Sequence, residues 1–174
     1  MIVKKKIKIV IFGDLNNIIC RVLFWQMVKI SKEKNIEVKK FYNTAKNNES
    51  LIKNVINFIF IKIFNPLKHN FFFNNTGIFI KFFSNIDIQN IPNINEKNFV
   101  KHLHQSRYDY AFSFCCNQIF KKKTLKCFKK VINYHSSILP FYRGLNSTLW
   151  SIFFKEKFTG YTFHYIDSKI DNGK

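Results

Sequence analysis

A chain of 174 residues, 47% apolar and 18% aromatic, carries enough apolar surface for one packed domain and rarely for two, which excludes an intrinsically disordered protein. Its net charge of +19 is what an RNA or other polyanion partner would select. However, lysine far outnumbers arginine (Arg21, Arg107 and Arg143), Asn, Ile and Phe abound, and Ala45 and Ala111 are the only alanines, so A- and T-rich codon usage is the preferred explanation of the charge.

Lys6 to Gly13 (KIKIVIFG) has the β-branched, apolar content of a buried strand closed by a Gly-Asp turn. Lys8 interrupts this run and no small-residue cleavage site follows, so it is not read as a signal peptide. Leu15 to Lys34 has helical spacing, with Ile19, Leu23, Met27 and Ile30 on one face and Arg21, Gln26 and Lys29 between them. Ile36 to Phe41 reads as a second strand, and a β-α-β opening favours a parallel sheet with a right-handed crossover. Leu51 to Phe64 is predicted to be a helix ended by Pro66. Its most apolar run, Val55 to Phe64, is too short to cross a membrane and carries Asn57 and Lys62. Ile78 to Phe83 is a candidate strand and the Asn-rich stretch Asn85 to Asn95 a loop. Further on come a short helix over Glu96 to Gln105 with Phe99, Val100 and Leu103 on one side, a strand over Tyr108 to Phe114, a helix over Lys121 to Phe128 and a strand over Val131 to Tyr134. Ser147 is placed as the N-cap of a helix reaching Phe154, and Thr162 to Ile166 as a last strand. The pattern is an α/β sandwich without internal repeat or second domain. Cys20, Cys115, Cys116 and Cys127 lack metal-ligand spacing and are read as reduced thiols of a cytoplasmic protein, with no zinc site.

The chemistry is concentrated between Val131 and Lys174. Asn133, His135 and Asp171 supply a hydrogen-bond donor, a titratable imidazole and a carboxylate, a set able to move protons and stabilise an oxyanion. The strand Val131 to Tyr134 delivers Asn133 and His135 to the carboxyl edge of the sheet, where ligands gather in open α/β folds. For a lone Asn or His there, a satisfied turn residue is the ordinary role; the surrounding pattern decides otherwise.

That pattern, N-x-H-x-S-x-L-P-x-Y-R-G followed by a Trp, T-G-x-T-x-H and D-x-G, resembles the folate-dependent formyltransferase family. The matching residues are Asn133, His135, Ser137, Leu139, Pro140, Tyr142, Arg143, Gly144, Trp150, Thr159, Gly160, Thr162, His164, Asp171 and Gly173. The resemblance implies a three-layer Rossmann-like sandwich with a mostly parallel sheet. It also implies formyl transfer from 10-formyltetrahydrofolate to a primary amine, without a metal. Asn133 and protonated His135 would then donate to the oxyanion, and Asp171 would tune His135 and help remove the amine proton. Phe114, Cys115, Cys116, Ile119, Ile166 and Asp167 would border the pteridine, largely through backbone groups. Ser137, Pro140, Arg143, Gly144 and His164 would shape the loop or meet the acceptor; for Arg143 the loop-holding role is preferred, and His164 would either lie close to the active centre or serve a structural role. His69, His102 and His104 carry no match and are placed on the surface. Ser136 replaces a common proline, and Cys115 and Cys116 replace a frequent glycine and aromatic. Family members continue into another strand and helix beyond D-x-G, so residues 1–174 are expected to be a single catalytic domain short of its C-terminal elements.

The acceptor is left open by the resemblance. Methionyl-tRNA formyltransferases usually follow Arg-Gly with Ala-Ala-Pro, where this chain has Leu145-Asn146-Ser147. Glycinamide ribonucleotide formyltransferases open with a glycine-rich phosphate loop, where Gly13-Asp14-Leu15-Asn16 has one glycine. A nucleotide-linked amino sugar is the expected substrate. tRNA is a possible partner, and an inactive remnant or nucleic-acid-binding protein on the same core is the alternative of a different class.

Overall fold

The computed structural model describes residues 5–45, 86–167 and 169–173. In chain order these form β1 (Ile7–Gly13), α1 (Ile18–Glu33), β2 (Ile36–Asn43), β3 (Asp87–Asn90), α2 (Lys97–Ser106), β4 (Tyr110–Phe114), α3 (Lys122–Leu125), β5 (Lys130–His135), α4 (Ser147–Phe153) and β6 (Thr162–Tyr165). The strands make one sheet in the order β3-β2-β1-β4-β5-β6. All neighbours are parallel except β5 and β6. The expected helix Leu51 to Phe64, the strand Ile78 to Phe83 and His69 lie outside the described residues. No helix among the described residues is long and apolar enough to cross a membrane.

Alternation along β1 sends Val10 and Phe12 to one side of the sheet and Ile11 to the other. On the first side Phe12 stacks on Tyr42 and meets Phe99, Phe120 and Phe128 edge-on, with Phe99 and Leu103 supplied by α2. On the other, α1 packs Cys20, Phe24 and Val28 against Phe41 and Phe114. A sheet between two helical layers is the three-layer Rossmann-like sandwich expected.

Several elements differ from the sequence-based expectation. The buried stripe of α1 is Cys20, Phe24 and Val28, one residue round from the Ile19, Leu23, Met27 and Ile30 face. Ile19 and Ile30 are exposed, while Leu23 and Met27 only flank the core. The sheet below selects this rotation, because Phe24 packs on Phe41 with ring centroids 4.5 Å apart and tilted by 42°, and the slim Cys20 fits where Gly13 leaves room: a Cβ on Gly13 would lie 2.5 Å from Cys20 Sγ. Residues 87–90, read as loop, form an edge strand. Backbone pairing to β2 needs no apolar alternation, and Lys40–Asp87 (2.7 Å) and Asn43–Asn90 (2.8 Å) rungs support it. The expected helix over Lys121 to Phe128 is a single turn, ended by the Cys127 and Phe128 amides bonding back only three residues. The N-cap of α4 is Asn146, not Ser147, whose hydroxyl is taken by Ser136 at 2.8 Å.

Candidate active site

Period-two alternation carries Val131, Asn133 and His135 to the same face of β5. The antiparallel register then sets His164 opposite Asn133 and Thr162 opposite His135. The N-x-H and T-x-H spacings therefore place four polar side chains on one patch of two paired strands. Tyr134, Tyr161 and Phe163 pack together on the other face.

Asp171 completes the patch from the last turn. Its φ is 45°, in the left-handed region that short polar residues tolerate best after glycine. Gly173 sits so close to β6 that a Cβ there would lie 1.5 Å from the Tyr165 carbonyl oxygen, which explains the glycine of D-x-G. The carboxylate has four neighbours: His135 Nδ1 at 3.4 Å from Oδ2, His164 Nε2 at 3.4 Å from Oδ1, Asn133 Nδ2 donating to Oδ1 at 3.4 Å, and the Gly144 amide donating to Oδ2 at 2.8 Å. His135 and His164 are buried. The Asn133 and Gly144 N–H groups are the donors to the half-buried carboxylate, which also faces one nitrogen of each buried ring.

Backbone carbonyls fix one nitrogen of each ring. A carbonyl only accepts, so His135 Nε2 donates to Tyr142 O at 2.9 Å and His164 Nδ1 to Tyr165 O at 3.1 Å. The remaining nitrogens, His135 Nδ1 and His164 Nε2, both turn to Asp171, and Asn133 Nδ2 also lies 3.2 Å from His164 Nε2. Tyr142 O thus holds His135 Nε2, and the ring nitrogen that faces the carboxylate is Nδ1.

The loop between β5 and α4 is tied down independently. Buried Ser137 donates to Phe141 O at 2.8 Å; Thr162 donates to Ser137 O at 2.8 Å and accepts from the Leu139 amide at 3.0 Å. Tyr142 reaches Glu156 through its hydroxyl, Leu139–Pro140 is cis, and Gly144 takes φ 91°, which favours glycine. Arg143 is exposed and has no hydrogen bond or ion pair among the described residues. The loop is held by its backbone, Ser137 and Thr162 rather than by that guanidinium.

The residues expected around a pteridine divide. Phe114 is a core side chain. Cys115 takes φ 53° and packs toward α1, where burial pushes its thiol up to about 11. Cys116, its thiol also raised by burial, packs with Ile166 against the core cluster that contains Val131. Ile119 is exposed. Asp167 is exposed, its carboxylate held low by the Lys169 amide and Asn172. Three functional contacts escaped sequence reasoning: the Tyr142 carbonyl, the Gly144 amide and Thr162. Backbone groups leave no residue-type signal, although the T-x-H spacing does put Thr162 on the face of His164.

A family model described as formyl transferase matches residues 73–174. The bifunctional polymyxin resistance protein ArnA of Wigglesworthia glossinidia brevipalpis is 38% identical over 82 residues, 47% of this chain and 12% of that protein. GDP-perosamine N-formyltransferase of Brucella melitensis is 38% identical over 66 residues, 37% of this chain and 26% of its own. Methionyl-tRNA formyltransferase of Thermodesulfovibrio yellowstonii is 35% identical over 79 residues, 45% of this chain and 26% of its own. The matched segments thus span about a quarter or less of these relatives. Among solved structures, glycinamide ribonucleotide transformylase 1 of Symbiobacterium toebii superposes with a TM-score of 0.66 over 98% of this chain and 70% of that one, at 13% identity. A sugar N-formyltransferase of Shewanella does so with a TM-score of 0.59 over 96% of this chain and 54% of that one, at 21% identity. At such identities the likeness is one of fold.

Proposed function

Because the chain belongs to the formyl transferase family, we propose that residues 1–174 form one catalytic domain that transfers a formyl group from 10-formyltetrahydrofolate to a primary amine in the cytoplasm. The observation that carries this reading is the Asp171 carboxylate surrounded by His135, His164, Asn133 and the Gly144 amide in one part-buried patch at a sheet edge.

The formyl donor supplies a carbonyl carbon open to attack by an amine, and its oxygen gains negative charge as that attack proceeds. Asn133 is the neutral amide donor on this patch, and its Nδ2, which holds Asp171 Oδ1 only at 3.4 Å, exchanges that long bond for one to the oxygen as its charge develops. His135 Nδ1 receives the proton shed by the amine, directly or through one water, while Asp171 balances the resulting imidazolium; as the intermediate collapses, the carbon–nitrogen bond to the folate breaks and that proton passes to the leaving nitrogen, releasing tetrahydrofolate. Tyr142 O keeps the ring in the orientation that presents Nδ1. His164 is a positioning residue: its Nδ1 is anchored to Tyr165 O, and its Nε2 sets the Asn133 amide and the second carboxylate oxygen.

The donor-side segments fit a flat apolar ring. Cys116 and Ile166 lie at the margin of the core cluster on the face that carries Asn133, and Phe114, Cys115, Ile119 and Asp167 supply the adjoining backbone. For the acceptor, a nucleotide-linked amino sugar is favoured. Arg143, unpaired between Tyr142 and Gly144, offers its guanidinium to an acceptor phosphate within one residue of both backbone contacts to the His135–Asp171 pair. A relative that is a GDP-perosamine N-formyltransferase supports the same choice. Methionyl-tRNA is the second reading, supported by a relative of that name and by the chain's charge of +19.

The test is release of tetrahydrofolate when the protein is given 10-formyltetrahydrofolate and a panel of amines. One amine should support turnover, and His135→Ala should abolish it while leaving the thermal midpoint in place. Undiminished turnover in that variant would remove His135 from the chemistry.

A further inference from the structure

A second feature lies away from the catalytic patch, where α2 and α3 run side by side. Lys97 and Lys101 stand one helical turn apart on α2, and Lys123 and Lys126 face them from α3 and its end. Between the two banks lies an open groove whose floor is Val100 and Cys127. The Cys127 thiol lies within reach of the carbonyls of Val100 (3.7 Å), on α2, and Lys123 (3.5 Å), on α3, and its single S–H donates to one or the other. His104 continues the α2 bank.

Four lysines facing one another across a narrow space repel, and such charges normally recruit carboxylates. Among the described residues none lines the groove. The nearest acid in sequence, Glu96, is occupied capping α2, where it accepts from the amides of Asn98 (3.0 Å) and Phe99 (2.9 Å). None of the four lysines has an ion pair among the described residues. An anionic ligand would supply that counter-charge. A concave, two-banked row of ammonium groups suits a run of phosphates. A lipid surface would need apolar anchors, but no large hydrophobic side chain is exposed among the lining residues.

The geometry points to the α2–α3 groove as a binding site for the phosphate backbone of single-stranded RNA. Because α2 and α3 follow the carboxyl ends of β3 and β4, the groove starts from the edge of the sheet that bears Asn133 and His135. Its occupancy does not depend on formyl transfer.

The probe is a fluorescein-labelled twelve-nucleotide oligouridylate titrated with the full chain between 50 and 200 mM salt. Contact with about four phosphates gives a log–log salt slope near −3, an affinity loss of about 50-fold across that range. Replacing Lys97, Lys101, Lys123 and Lys126 together by Gln should weaken binding at least about tenfold at 50 mM salt and flatten the slope by about 0.7 unit per lysine contact. Lys101→Glu alone, a single surface change, should give a smaller loss in the same direction. A control variant with Lys6, Lys29, Lys32 and Lys34 changed to Gln removes equal charge elsewhere and should stay within about twofold of the parent. Equal weakening in the groove and control variants would assign binding to net charge and overturn the site. Unchanged affinity in the groove variants, or binding to phosphatidylglycerol vesicles without binding to the oligouridylate, would overturn it too.

Discussion

In β1 and β2, the chain hides what is apolar: Val10, Ile11, Phe12, Phe41 and Tyr42 are fully buried. From Lys130 onward the allocation inverts. His135, Ser137, Ser147, Ser151 and His164 are buried, while Trp150, Phe153, Phe158, Tyr161 and Tyr165 stand exposed. The first region is organised by packing, whose strength scales with apolar area removed from water. The second is organised by directed hydrogen bonds that converge on Asp171 and the loop above it. Damage to the first should therefore appear as lost stability, and damage to the second as lost chemistry.

The largest expected effect breaks the packed side. Phe12→Ala removes a ring that touches Tyr42, Phe99, Phe120 and Phe128, and should cost about 3–5 kcal/mol in denaturant unfolding. Per-molecule turnover of the folded fraction should stay intact. The converse is Gly173→Ala. Its new Cβ would collide with the Tyr165 carbonyl and push Asp171 out of register, so formyl transfer should fall about a hundredfold with a small change in melting temperature. A smaller effect tests the loop: Ser137→Ala removes the bond to Phe141 O and should cost about 1 kcal/mol of stability, with turnover reduced more than substrate affinity. Smallest is a pH effect at Cys115. Burial raises its thiol to about 11, so the fold favours the neutral form. That contribution is full below the ordinary value of 9.0 and is lost as pH climbs from there toward 11. Alkylation of Cys115 by iodoacetamide should accordingly stay slow at pH 8 and accelerate only toward pH 11.

The same contrast explains how much was legible in the sequence. β1, β2 and β5 are legible from their β-branched and apolar content, β4 from its aromatics Tyr110, Phe112 and Phe114 at alternate positions, and α2 because Phe99 and Leu103 mark its buried side. The stripe of α1 was misplaced because several apolar registers fit that helix, and only the sheet, through Phe41 and Gly13, chooses one. Edge strand β3 (DIQN) has no apolar alternation to read. In the site, the residues that carry charge were visible as motifs, whereas their positions came from pairing: His164 meets Asn133 only through the antiparallel β5–β6 register. The Tyr142 carbonyl and Gly144 amide had no signature of their own.

The account rests on Asp171 as the hub of that polar network. Asp171→Asn keeps the shape while removing the charge that His135 Nδ1 faces at 3.4 Å. Tetrahydrofolate release from 10-formyltetrahydrofolate in the presence of the accepting amine should fall by about 10²- to 10⁴-fold, with thermal stability close to that of the parent. Turnover at the parent's rate in a folded Asp171→Asn protein would contradict the account.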